Sequence, residues 1–371
     1  VTGLAAGSPQ SRMTQGGNRP IWLLRCHPLV DVLTLRPSLL GLAMKRREFI
    51  TSVASTITAW PFVGLAQTAS NVYHIGILST NALPPETSVG AAILRAFARH
   101  GYIPDRNVAL EMRAGEDHSE QLPQLAEELV ASKVDLIMTF SFPAVAVAKN
   151  ATTTIPIVTT EAGGDPVSLG LVKSLSRPGG NITGVSDMAI ELAPKRLELL
   201  KDMVPTLRTV AVLFNKSDLG MTLRYQGVAA AARTMGVRVQ SLGVREPEDF
   251  DEAFASMVSD PPDAILMVSD ILTFLNRRRV YEFAAEHRLP AAYERANYVH
   301  DGGLSAYSPD LDEIYDRATS LIDRILRGDK PADLPFEQPT RFHISINLKT
   351  AKALGIIVPA SVIARADDVI E

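Results

Sequence analysis

From Val72 onward, short β-prone apolar runs alternate with longer segments of helical periodicity, and this alternation restricts the fold more than any other feature of the 371 residues. Parallel neighbours in a sheet need a crossover, so strand–helix repetition encodes an α/β protein with parallel sheets. Strands are expected at 72–78, 107–113, 135–140, 155–160, 182–185, 209–214, 238–244, 264–268, 290–293, 303–308 and 342–346. Helices are expected at 86–100, 119–132, from about 143, then at 191–203, 219–235, 248–259, 272–287 and 311–327. Two consecutive runs of about four βα units, with no low-complexity linker between them, predict two Rossmann-like lobes rather than one large sheet.

The stretch 157–187 marks the junction of the two runs. It opens as a strand, passes through the polar loop Thr159-Thr160-Glu161, and starts a short helix at Asp165-Pro166. After a turn at Arg177–Asn181 it forms the strand 182–185 and leaves the first lobe at Ser186-Asp187.

The first 66 residues read differently. From Met44 a basic start (Lys45, Arg46, Arg47) precedes an apolar run to Val63 and small residues at Gly64 and Ala66, the layout of a signal peptide cleaved after Ala66. Arg46-Arg47-Glu48-Phe49-Ile50 also resembles a twin-arginine export motif. A transmembrane anchor is disfavoured, because the run is short and interrupted by Thr, Ser and Pro61. Residues 1–43 are then expected to be an over-extended, disordered gene start. Taking the seven basic and two acidic residues of 1–66 from the 37 and 41 of the chain leaves 30 and 39, a net charge near −9. Such a balance excludes the electrostatic footprint of a nucleic-acid binder. Cys26 lies in the leader too, so the exported part has no disulfide, thiolate nucleophile or cysteine metal site.

In open parallel sheets, ligands collect beyond the carboxyl ends of the strands. In the first lobe those positions hold Ser79, Thr80, Ser141, Phe142, Thr160, Glu161 and Asp165, and Asp187 stands at the lobe exit. In the second they hold Asn215, Asp270, Tyr293 and Glu294. Hydroxyls, amides and carboxylates with a few aromatics suit a small polar or amphiphilic ligand. Each has a second reading. Asp165 and Ser141 are also placed as helix caps, Asp187 either caps the next helix or pairs with a ligand ammonium, and Tyr293 either stacks on a ligand or packs against its sheet. The arginine run 277–279 reads as a solvated helix face. No zinc-type histidine spacing, nucleophile elbow, phosphate loop or dinucleotide fingerprint occurs after residue 66, so no catalytic residue, metal or cofactor is expected.

Several of these stretches, taken in order, resemble the ABC-transporter substrate-binding proteins of the tryptophan/tyrosine-binding type. They are KRREFI in the leader, ATTTIPIV at 151–158, GDPVSLGLVKSLSRPGGNITGVSD at 164–187, KRLELLKDMVP at 195–205 and INLKTAKALGIIVPASVIARADDVIE at 346–371. The resemblance implies a type I periplasmic binding fold, in which two lobes joined by three crossings close on a ligand. It assigns 72–185 plus about 305–334 to the N-terminal lobe and 186–304 plus about 335–371 to the C-terminal lobe. It also implies a small-molecule ligand, an amino acid or an aromatic relative, and an ABC permease in the inner membrane as partner to a monomeric periplasmic receptor. Where the family carries a Thr/Gly-rich motif before proline, this chain has the bulkier Phe140-Ser141-Phe142-Pro143, and Glu161-Ala162-Gly163-Gly164 precedes Asp165. A periplasmic sensor and an enzyme on the same scaffold are the competing readings.

Overall fold

A computed structural model describes residues 72–115 and 118–371; the leader and the residues before it lie outside that range. The first sheet contains β1 (Tyr73–Ser79), β2 (Val108–Ala114), β3 (Leu136–Phe140), β4 (Ile157–Thr160) and β5 (Ile182–Val185). Helices α1 (Ser88–Arg99), α2 (Leu122–Ala131) and α3 (Phe142–Ala151) cross between its first four strands. All pairings are parallel, in the order β2-β1-β3-β4-β5. The buried strands β3 and β4 are continuous apolar or hydroxyl runs because both faces are covered.

The second sheet runs through β6 (Thr209–Asn215), β7 (Arg238–Val244), β8 (Ala264–Met267), β9 (Ala291–Tyr293), β10 (Ser305–Pro309), β11 (Phe342–Asn347) and β12 (Asp368–Ile370). Its order is β12-β11-β10-β9-β8-β6-β7, parallel except for the antiparallel pair β10–β11. Around it lie α4 (Ala193–Met203), α5 (Leu219–Thr234), α6 (Asp249–Ser259), α7 (Ile271–Leu275), α8 (Arg277–Glu286) and α9 (Ala296–His300). α10 (Leu311–Leu326) follows β10 but packs on α1, β4 and β5, so it belongs with the first sheet. α11 (Leu348–Leu354) and α12 (Ala360–Ile363) complete the second.

α10 shows how sequence fixes placement. Asp310 caps it by accepting from the Glu313 N–H, Asp312 and Glu313 complement the positive end of its dipole, and its buried stripe includes Ile314, Ala318, Leu321 and Ile325. Burying each of the larger apolar side chains contributes roughly 1.5–3 kcal/mol, enough to hold the helix on a sheet far from its neighbours in sequence.

The chain passes between the sheets after β5, between β10 and α10, and before β11, and hydrogen bonds lace these three passages together. Ser186 N donates to Glu337 O and Glu337 N to Gly184 O. Asp310 N donates to Arg341 O, and the Glu313 carboxylate accepts from the N–H groups of Thr340 and Arg341. Burial raises the pKa of Glu313, but bonds from Thr340, Arg341 and Arg317 outweigh it and hold the group at about 2.

Three expectations need correction. Residues 305–309 pair with β9 and β11 and so belong to the second sheet; the lobe boundary falls at the cap Asp310 rather than at 305. The helix expected from Pro166 is a single turn. Gly170 adopts a left-handed φ of 68° only five residues after Asp165 and reverses the chain before a second turn forms. The helix expected over 272–287 is two, α7 and α8, separated at Asn276 (φ −92°, ψ 6°), whose side chain donates to Leu272 O.

Candidate functional site

A cavity of about 370 Å³ opens where the strand ends of the two sheets face one another. Glu161, after β4, lines it from the first lobe; Asp187 lines it from the first passage; Arg196 of α4, Arg224 of α5, and Glu294 and Arg295 after β9 line it from the second lobe. Ala92 and Arg95 of α1, Asp310, and His343 of β11 surround its other end.

Arg196 and Arg224 occupy positions on apolar helix stripes, Arg196 among Ala193, Leu200 and Met203, and Arg224 among Met221, Val228 and Ala231. Both guanidinium groups are therefore driven inward, where a buried charge must be paired. Arg224 donates from Nη1 to Glu294 Oε2 at 2.7 Å, from Nε to Gly163 O at 2.7 Å, and from Nη2 to Asp187 Oδ2. Arg196 donates from Nη1 to Glu294 Oε1 at 2.9 Å and Ala189 O at 2.8 Å, and from Nε to Tyr307 O at 3.0 Å. Glu294 also accepts from the Ser269 N–H at 3.0 Å. Burial alone would raise the Glu294 pKa, but the two arginines hold it below its ordinary value. These side chains bind together the residues after β9, the first lobe passage, β10 and the first-lobe loop at Gly163.

A second ion pair spans the gap. Arg295 donates both terminal nitrogens to Glu161, at 2.9 Å and 2.6 Å, in a fork-to-fork arrangement. The lobes meet closely beside it. A Cβ on Gly163 would stand 3.5 Å from Gly220 Cα, and one on Gly220 would stand 3.2 Å from Gly163 Cα. Gly163 also has a φ of 88°, so a side chain there is strained as well as crowded.

Non-glycine residues with left-handed φ gather at the same place: Ser141 (84°), Glu161 (56°) and Met188 (52°). With ψ at 156°, Ser141 lies in a region kept almost entirely by glycine, at a cost on the order of 1–3 kcal/mol. Its Oγ does not cap α3; that atom and Thr160 Oγ1 are buried without hydrogen-bond partners among the described residues.

Of the residues singled out from the sequence, Glu161, Asp187 and Glu294 line the cavity. Asp187 accepts from Arg224 and from the Ala189 N–H in the turn that follows it; it does not cap α4, whose N-cap position is Leu192, and its charge is paired within the protein. Asp165 accepts from the Val167 and Ser168 N–H groups and the Ser168 hydroxyl; burial opposes these bonds, yet they hold its pKa below the ordinary value. It caps a turn away from the cavity. Tyr293 stacks on Tyr298 at 5.4 Å and meets Tyr281 edge-on, so its ring belongs to the second-lobe core rather than to the cavity wall. Ser79 Oγ accepts from Asn81 N, and Thr80 follows it, half-buried. Phe142 packs on the first-lobe core. Asn215 donates to Asp270, which caps α7 in a reciprocal box with Thr273. Burial raises the Asp270 pKa, and burial with Asp270 as neighbour raises that of Asp218. The sequence reading missed Arg196, Arg224 and Arg295, although an arginine inside an apolar helix stripe is a readable signal for the first two.

The family model of the ABC transporter substrate binding proteins matches residues 77–370. The chain belongs to that family. A tyrosine-binding protein of Clostridioides difficile (strain R20291) is 29% identical over 284 residues, which cover 76% of this chain and 81% of the relative. Among solved structures, an ABC domain from Streptococcus pneumonia in complex with L-Trp is 28% identical with a TM-score of 0.74, covering 80% of this chain and 99% of that one. The ligand-free, open structure of a Clostridium difficile substrate-binding protein with adhesive properties is 25% identical over 81% of this chain and 99% of its own, with a TM-score of 0.61. These matches identify the two sheets as the lobes of a type I binding fold. Members of the family are solute receptors for ABC permeases and generally work in the periplasm or outside the cell, and the chain is such a receptor.

Proposed function

We propose that the chain captures an amino acid, or an aromatic relative of one, between its two lobes and presents it to an ABC permease of the inner membrane. The observation that carries this reading is a cavity whose walls come from both lobes and whose charged groups include an acid and a base on opposite sides of the gap. The relatives named for tyrosine and for bound L-Trp support the ligand class. Ser79, Thr80, Ser141, Phe142, Thr160 and Glu161 would meet the ligand from the first lobe, and Asn215 and Asp270 from the second, with Glu294 bracing the arginines of the cavity wall. Asp187 would hold the hinge beneath it. Asp165 and Tyr293 would contribute only to the framework.

In this reading the lobes divide as 72–185 with 310–337, and 186–309 with 338–371. Residues 44–66 export the chain as a signal peptide, by the twin-arginine route if Arg46-Arg47 is read by that machinery, and the released receptor works in the periplasm as a monomer. The ligand leaves chemically unchanged. Thermal-shift screening of the purified chain against the amino acids, aromatic acids and simple sugars tests the proposal: stabilisation by amino acids supports it, and stabilisation by sugars alone sinks it.

A further inference from the structure

We infer that Glu161 and Arg295 read the two charges of a zwitterionic ligand, Arg295 taking its α-carboxylate and Glu161 its α-ammonium. The inference rests on the amino-acid reading above and specifies how that ligand is recognised.

The other charged groups at the inner end of the cavity are already committed. Arg224 uses all three of its nitrogens, both Glu294 oxygens are occupied, and Arg196 is held by Glu294 and two carbonyls. Glu161 and Arg295 differ in two ways. They come from opposite lobes, 134 residues apart, and each directs its charged group at the other. Arg295 is also the most exposed of these cavity cations, at 26% of its side chain against 2% and 4% for Arg196 and Arg224. Of these three arginines it is therefore the one open to a ligand between the lobes.

The chemistry of exchange is favourable. A free α-carboxylate presents the same two oxygens to Arg295 as Glu161 does, so it can take over the forked contact. Glu161 is then released to accept from the ammonium group of the same ligand. One direct ion pair becomes two, and both hold the lobes together through the ligand. The buried Tyr315 hydroxyl lies beside Glu161, whose charge adds to burial in raising its pKa, so the ammonium side of the pair carries a second polar group. A ligand with only one charge cannot make the exchange. A simple acid strands Glu161, an amine strands Arg295, and an unpaired charge in a closed site is penalised.

Isothermal titration of the wild type, Glu161→Gln and Arg295→Gln with L-tyrosine, tyramine and 3-(4-hydroxyphenyl)propionate tests this, with L-tryptophan, tryptamine and indole-3-propionate as a second set. The wild type should bind either amino acid at least about tenfold more tightly than its analogues, the scale of one charged hydrogen-bond partner. Glu161→Gln should lose the preference over the deaminated acid, and Arg295→Gln the preference over the amine. The doubly swapped variant Glu161→Arg with Arg295→Glu keeps an ion pair and should melt like the wild type, but should lose at least about tenfold in amino-acid affinity. Amino-acid binding without the crossed pattern, or undiminished in the swapped variant, overturns this assignment and leaves the amino-acid reading standing. Failure of every amino acid, with binding of a sugar instead, overturns both.

Discussion

Replacing Glu294 by Gln tests whether the buried arginine network is the keystone of the second lobe. In the wild type this carboxylate accepts from Arg196, Arg224 and the Ser269 N–H, with only 2% of its side chain exposed. The amide keeps one acceptor oxygen but turns N–H groups toward a guanidinium, leaving Arg196 without a carboxylate partner. Breaking a buried ion pair from one side costs about 3–5 kcal/mol. At roughly 2–4 °C per kcal/mol for a chain of this size class, the melting temperature should fall by about 6–20 °C at neutral pH. The pH dependence is the sharper test. The Glu294 pKa is held below its ordinary 4.5, so its stabilisation is fully present above that pH and is lost as the pH drops through the folded-state value. The gap between wild type and variant, followed by circular dichroism, should therefore narrow on acidification below about 4.5. A fall of under about 2 °C at neutral pH, or a gap that stays constant into acid, would refute the reasoning.

Three further outcomes follow from the same geometry. Gly220→Ala places a methyl 3.2 Å from the Gly163 carbonyl oxygen, a contact made only when the lobes meet; small-angle scattering should show a more open ensemble and titration a several-fold weaker affinity, with the melting temperature nearly unchanged. Ser141→Gly removes a strained backbone conformation, so it should raise stability by about 1–3 kcal/mol in denaturant titration, and on the proposal that its buried hydroxyl meets the ligand it should also weaken binding. Glu313→Gln should loosen the third lobe passage. Because the Glu313 pKa lies at about 2 against an ordinary 4.5, the wild-type advantage over this variant should be complete above pH 4.5 and fade between there and about 2; a difference independent of pH would contradict it.

Much of the architecture could be read from periodicity. The apolar run 209–214 and the alternating segment 238–244, each followed by a helical stripe, gave strands and crossovers almost residue for residue, and the end of the first βα series falls at Ser186-Asp187. α9, α12 and β12 escaped because five, four and three residues carry too little pattern to identify. The turn at 166–170 escaped for a different reason: a proline start signal and a glycine stop signal stood too close together for a helix between them. At the site, Glu161, Asp187 and Glu294, singled out by their places after strands, line one cavity. What pairs with them depended on which loops meet across the gap, and nothing local to Glu161 points to Arg295. Tyr293 illustrates the same limit, since its strand-end position is compatible with cleft or core, and only its stacking on Tyr298 settles it on the core side.

The central claim is that the cleft holds an amino-acid zwitterion. Mass spectrometry of the small molecules released on denaturing freshly purified protein tests this most directly, because it asks the protein what it selected. The account predicts release of an amino acid, most readily an aromatic one, in near-stoichiometric amount from the wild type and its loss from Glu161→Gln and Arg295→Gln. Stoichiometric release of an uncharged sugar or polyol, retained in both variants, would contradict it.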